Sequence, residues 1–339
     1  MTSERTRREF LAQVTAAATG AALTGVGALG CSREPRAAGE QKDSHPARVV
    51  IARDEALTSG EMGEQRDLLC KLLDASMQRL TGAADATAAW RNVFKPKQRV
   101  GIKVNTLGLT TQPAVVDAVV TGLRQGGVPA DKILIWDRFD VELVRAGFKL
   151  NKSGSGVQCY GTDAERYGGS GYQQQVESSG QIGSCFSRIV AEQVDVLISV
   201  PVLKDHNLAG VSLGMKNFFG AIHNPNKYHE NNCDPYVADV VSHRYIRPKW
   251  RLTVCDATHA QYNAGPGKHP GFAWRFGGLI VSTDVVAADA VAAHLLEQQR
   301  RAKGLKSLAE EGRPAKHIRT AGTRGLGEAE LAKIERIEV

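Results

Sequence analysis

The chain has 339 residues, 42% hydrophobic and 23% charged, with a formal net charge of +7. That composition fits a folded chain with a sizeable core and excludes a disordered one. Aromatic residues make only 6% of the chain and none falls in its most basic stretch, residues 300–319, so no nucleic-acid partner is expected.

Thr6-Arg7-Arg8-Glu9-Phe10-Leu11 precedes a mildly apolar run from Val14 to Leu29 built of Ala, Gly, Thr, Val and Leu. The order and spacing of residues 1–30 resemble a twin-arginine export signal. The resemblance implies the twin-arginine translocase as a partner and a periplasmic or membrane-anchored location facing the periplasm. It also implies a cofactor inserted before export, because that route carries folded proteins. Ala28-Leu29-Gly30-Cys31 approximates a lipobox that would tether the chain to the membrane through Cys31, and Val26-Gly27-Ala28 offers a competing cleavage site; the residues leave both open. Residues 31–46, polar and proline-bearing, read as a flexible tether.

From residue 47 onward, strand-like runs alternate with helical periods. Val49-Val50-Ile51 reads as a strand, residues 63–80 and 84–94 as helices, and 99–104 as a strand followed by a helix over 112–125 that Gly126-Gly127 ends. Further strands are expected at 133–136, 194–200, 252–255 and 279–281, with a helix over 285–296 capped by Asp284. Several runs are apolar without alternation, as in strands covered on both faces. The expected fold is α/β: a mainly parallel, doubly wound sheet with helices on both faces, in one domain over 47–339 with a polar insert at about 151–185. Seven Lys/Arg at 300–319 against Glu310 and Glu311 read as a solvated helix surface, with contact to an anionic lipid or polymer as the alternative.

The six cysteines (31, 70, 159, 185, 233 and 255) form no C-x-x-C pair or ferredoxin run, so no iron–sulfur cluster is expected. Cys70 and Cys255 read as core, while Cys159, Cys185 and Cys233 leave their pairing open. In open α/β sheets ligands sit beyond the carboxyl ends of strands. Here those ends carry Lys103 and Asn105, Asp137 and Arg138, Lys204, Asp205 and His206, and Asp256. Six histidines (206, 223, 229, 243, 259 and 269) crowd into 206–269, with Lys204, Lys216 and Lys227 and Gly210, Gly214 and Gly220 among the first three of them. Ser212 and Lys216, four apart, would share one helical face. Imidazoles suit a transition metal and lysines a carboxylate or phosphate, but no compact metal motif is present, so a liganding histidine pair, metal-free anion binding and a structural role all stay open. No serine-hydrolase elbow, P-loop or dinucleotide fingerprint occurs. Gly265-Pro266-Gly267 reads as a turn that could shape a pocket rim.

Gly101-Ile102-Lys103-Val104-Asn105, Ile135-Trp136-Asp137, Pro201-Val202-Leu203-Lys204-Asp205-His206, Gly214-Met215-Lys216-Asn217-Phe218-Phe219-Gly220, Gly265-Pro266-Gly267, the helix start Asp284-Val285-Val286-Ala287-Ala288-Asp289-Ala290 and Gly325-Leu326-Gly327 together resemble the bacterial domain-of-unknown-function family 362. The resemblance covers about 47–339. Some members add a ferredoxin module whose cysteines this chain lacks. More locally, His206, Ala209-Gly210, Gly214 and Lys216 resemble the stretch of nickel-pincer lactate racemases in which a lysine tethers the cofactor. That resemblance implies a covalently tethered metal cofactor on Lys216, with His229 or His223 as a later ligand.

The expectation is therefore an exported metal- or cofactor-dependent enzyme acting on a small anionic ligand. His206, Lys216 and Asp256 would be catalytic, with Asp256 orienting an imidazole; Lys103, Asn105, Lys204 and Asn217 would hold the anion; His206, His223 and His229 would ligate the metal. The alternatives are a non-catalytic periplasmic or lipid-tethered anion- or metal-binding protein, and a scaffold using the basic 300–319 segment.

Overall fold

A computed structural model describes residues 46–59, 65–164 and 171–339. The export-like segment, Cys31 and the tether before Pro46 lie outside the described residues. In chain order the strands and helices are β1 (Ala47–Arg53), α1 (Arg66–Thr81), α2 (Ala86–Val93), β2 (Val100–Val104), α3 (Pro113–Gln125), β3 (Ile133–Trp136), α4 (Asp140–Arg145) and β4 (Gln158–Cys159). Then come β5 (Glu177–Ser179), β6 (Ile182–Ser184), β7 (Val196–Val200), β8 (Val202–His206), β9 (Gly210–Val211), α5 (Gly214–Asn217) and α6 (Tyr236–Ser242). β10 (Trp250–Gln261), β11 (Ala273–Trp274), β12 (Gly278–Ser282), α7 (Val285–Ala302), α8 (Lys316–Thr323) and β13 (Ile334–Glu338) complete them.

The main sheet has the order β13-β1-β12-β10-β7-β2-β3-β4. Its pairs are parallel except at β12, which runs antiparallel to both β1 and β10. Successive residues of a strand point to opposite faces, and both faces are covered. Val196, Ile198 and Val200 of β7 pack with α1, α2 and α3 in one core, while Leu197 joins α6, α7 and α8 in the other. The polar stretch 151–185 supplies the edge strand β4 and the separate β5–β6 ladder. The five described cysteines, 70, 159, 185, 233 and 255, are all free thiols; Cys255 is buried and Cys70 half-buried.

Two departures from the sequence expectations shape the site. Proline has no N–H to give a ladder, and at Pro201 the chain breaks from the line of β7 while staying in the same sheet. β7 pairs the first part of β10, and β8 resumes beside its far part, with Val202 opposite Asp256 and Lys204 opposite Gln261. β10 thus runs past Cys255 for six more residues, and Asp256 sits within it rather than at a strand end. Second, residues 300–319 are only in part a solvated surface: Arg301, Lys303, Lys306 and Arg319 are exposed, but two other arginines are tied into the fold. Arg300 is fully buried, with Nη2 2.6 Å from Glu311, and Arg313 binds Asp205 at 2.7 Å and Glu311 at 2.6 Å.

Asp284 caps α7 as its sequence position suggests. Its Oδ1 accepts from the amides of Val286 and Ala287, both at 2.9 Å, and its Oδ2 accepts from Glu328 N at 3.0 Å. Asp284→Ala should cost about 1–2 kcal/mol in urea unfolding, with Asp284→Ser recovering most of it. A loss of only a few tenths would contradict this account of the helix start.

Candidate functional site

The carboxyl ends of β2 and β3, together with β8 and α5, enclose a cavity of about 180 Å³. Three buried lysines reach it, and their surroundings differ. Lys103 Nζ meets Asp137 Oδ1 at 2.6 Å, Val104 O at 2.6 Å and Asn217 Oδ1 at 3.2 Å. Asn217 in turn donates to Lys103 O and to Ser199 Oγ, each at 3.1 Å. A Cβ on Gly220 would lie 2.8 Å from Lys103 Cε and 3.0 Å from Asp137 Oδ1, so the chain closes over this ion pair only as glycine. Lys204 Nζ donates to Asn105 Oδ1 (3.2 Å), Leu107 O (2.5 Å) and Leu109 O (2.8 Å). Burial pulls its pKa down to about 7, yet three oxygens are what an ammonium's three donors need. Both lysines line the cavity, and the bonds of their ammonium groups go to protein oxygens.

Lys216 differs. Its Nζ lies 3.1 Å from His229 Nε2 and 4.1 Å from the Phe219 ring centroid, with no carboxylate paired to it among the described residues. Burial lowers its pKa to about 8. His229 Nδ1 lies 3.0 Å from Pro225 O; a carbonyl only accepts, so Nδ1 carries the proton and the Nε2 lone pair faces Lys216. His206 has the opposite tautomer. Its Nδ1 accepts from the amides of Leu208 (3.1 Å) and Ala209 (3.2 Å), which places the ring proton on Nε2. Burial first, then the nearby Lys216 charge, pushes its pKa down to about 2. The two imidazoles stack with centroids 5.7 Å apart.

A family model described as "Domain of unknown function (DUF362)" matches residues 94–294. The chain belongs to the DUF362 family. The match takes in every residue lining the cavity. No curated protein matches this DUF362 chain.

The expected metal set is not assembled in this DUF362 site. His223 is exposed, does not line the cavity, and instead accepts on its carbonyl from Arg138 Nη2 at 2.7 Å, with its ring edge-on to Tyr172. A metal-bound imidazole donates its other N–H to an acceptor; His206 does the reverse. His229 has the suitable tautomer, but Lys216 occupies its Nε2. Among the described residues, no group of three or more His, Cys, Asp or Glu could hold a metal ion. The donors present therefore do not fit a resident metal or a metal cofactor tethered at Lys216.

Asp256 is also placed differently from its expected role. Its carboxylate accepts from Gln112 N (2.8 Å), Thr258 N (3.0 Å) and Thr258 Oγ1 (2.6 Å), and no imidazole among the described residues is bonded to it. It anchors the start of α3 and stands outside the cavity lining. Ser212 does line the cavity beside Lys216, but it precedes α5 rather than sharing a helical face with it.

The sequence placed Asp137 at a strand end but assigned the acidic side of the DUF362 cavity no role. Asp137 Oδ2 accepts from Thr106 N (2.9 Å) and Oγ1 (2.8 Å), and Glu142 accepts from Thr106 Oγ1 at 3.2 Å. Burial and the Asp137 charge raise the Glu142 pKa. Arg138 had a strand-end position as its signal; Glu142, on a short helix, had none. His317 of α8 was also missed. It is fully buried, neither ring nitrogen has a partner among the described residues, and burial with the Lys216 charge drives its pKa to about 3. Lys216, His206 and Asn105 line the cavity, and no hydrogen-bond partner is found among the described residues for His206 Nε2 or Asn105 Nδ2.

His206 yields a signed pH prediction. Below pH 6.5 the unfolded chain binds a proton there that the folded chain refuses down to about pH 2. Stability should therefore fall as pH drops below 6.5, by up to about 1.4 kcal/mol per pH unit from this group. His206→Asn, whose amide oxygen can accept in place of Nδ1, should make the decline between pH 6.5 and 5 shallower in urea unfolding. An unchanged decline, or long-range ¹H–¹⁵N correlations showing a protonated Nδ1, would contradict the assigned tautomer.

Proposed function

We propose that this protein is an exported enzyme that acts on a small carbonyl-bearing carboxylate through the amine of Lys216. The observation that carries the reading is the contrast among the three buried lysines: two spend their donors on protein oxygens, while Lys216 faces an imidazole lone pair at 3.1 Å inside a cavity. A desolvated lysine is a recognised nucleophile toward carbonyl carbon. The cavity, about 180 Å³, suits a molecule of only a few heavy atoms. The twin-arginine-like segment at residues 1–30 supports an exported site of action, facing the periplasm.

In this reading the substrate carboxylate takes hydrogen bonds from Asn105 Nδ2 and the Arg138 guanidinium. His229 Nε2 accepts a proton from the Lys216 ammonium, freeing the amine. The amine attacks the carbonyl carbon while the oxygen receives the His206 Nε2–H bond; that oxygen then takes one proton from the attacking nitrogen and one back from the His229 imidazolium and leaves as water, with Glu142, its pKa raised by burial, lining the same cavity. The product is an imine between Lys216 and the substrate carbon, with the positive charge next to the atom whose bonds are to be broken.

Borohydride trapping tests this directly. Full-length protein incubated with pyruvate or glyoxylate and then reduced should carry one adduct, mapped to Lys216 by peptide mass spectrometry. Lys216→Met should abolish the adduct and His229→Gln should slow its formation about tenfold or more. Adducts scattered over surface lysines, or none at Lys216, would sink the proposal.

A further inference from the structure

A second cavity, of about 430 Å³, lies on the other side of a shared wall. The wall is made of two strips of chain. Leu107 faces the first cavity and Leu109 the second, while Pro266 faces the first and Lys268 the second. The strips touch where Gly108, at φ +69°, meets Pro266, and a Cβ at Gly108 would run into the Pro266 carbonyl. Both strips are fixed: Lys204 holds the carbonyls of Leu107 and Leu109, and Gln261 holds Gly267 O at 2.7 Å and His269 N at 2.8 Å.

The two cavities differ in charge. The first contains Asp137 and Glu142. The second is lined by His259, Lys268, His269, Trp274 and Arg275, and no Asp or Glu is among its described lining residues. Lys268 Nζ has no hydrogen-bond or ion-pair partner among the described residues, and its charge, with that of Arg275, bears on His259. His259 Nδ1 is buried and likewise unpartnered. Arg275 spends Nη1 on Thr58 O at 3.1 Å, which holds it at the rim. A concave wall whose described residues gather cations and include no carboxylate concentrates positive potential, and an indole beside it offers a planar apolar surface.

We infer that this second cavity binds an aromatic or heterocyclic oxyanion, its charged group met by Lys268, Arg275 and His259 and its ring laid against Trp274. The volume falls within the range of small-ligand sites. The inference is independent of the chemistry proposed for Lys216, since none of its residues lines the first cavity.

The test uses full-length protein with phenyl phosphate, benzoate and benzyl alcohol, followed by tryptophan fluorescence and titration calorimetry. At least one of the two anions should bind saturably, identifying a phosphate or a carboxylate as the preferred group, and the neutral alcohol should not. Lys268→Ala should weaken that binding about tenfold. Trp274→Phe should remove the fluorescence change while calorimetry still detects the ligand. Lys216→Met, which blocks the first cavity's chemistry, should leave the affinity unchanged. The inference is overturned if neither anion binds, if the alcohol binds as well as the anions, if Lys268→Ala has no effect, or if Lys216→Met abolishes binding.

Discussion

Taking an ammonium group out of water is costly unless its charge is met by an anion or its three donors by oxygens. This fold does so three times around one hollow, and the way each case is resolved organises the site. Lys103 is met by the Asp137 carboxylate and two further oxygens, and Lys204 by two carbonyls and an amide. Together they tie β2, β3, α5 and the 105–109 loop into a fixed wall. Lys216, on the short helix next to them, receives an imidazole nitrogen and an aromatic face. Among the three it is the one whose recorded hydrogen bond goes to no protein oxygen, and so the one whose amine is left open to a ligand.

The backbone explains why these groups meet. Pro201 ends one strand and starts another, so Lys204 and His206 are carried beyond the sheet's carboxyl edge alongside the extended β10. Asp205 then anchors this extension to Arg313 at 2.7 Å and to Gly265 N at 2.7 Å, which brings the 265–267 turn to the cavity rim. The same turn separates the two cavities. Asp256, buried at the junction, holds the first residues of α3 and thereby the far end of the wall.

Much of the frame was legible locally. The apolar runs at 133–136 and 194–200 lack alternation because both faces of those strands are covered, and Asp284 stands one residue ahead of a helix it does cap. What was illegible depended on distant partners. A short, wholly buried run such as 278–282 carries no sign of its direction, so the antiparallel setting of β12 could not be read. The charges of Lys204, Asp205 and His206 argued for a loop, whereas each is buried by a bond to residues about 60 to 110 positions away or to the next turn. Arg300 and Arg313 counted as surface charge until Glu311 and Asp205 met them. In the site, the crowding of histidines pointed to the right region but not to the right set: His223 turns outward, and the Nδ1 bonds of His206 reverse the tautomer a metal needs. Composition cannot encode which ring nitrogen faces which backbone group.

The central claim is that Lys216 carries an amine freed by its surroundings, and a lysine side-chain NMR titration of the full-length protein, assigned with Lys216→Met, tests it most directly. The account predicts a midpoint near 8 for Lys216, displaced in His229→Gln. A midpoint at the ordinary lysine value of 10.5, unmoved by that substitution, would contradict it.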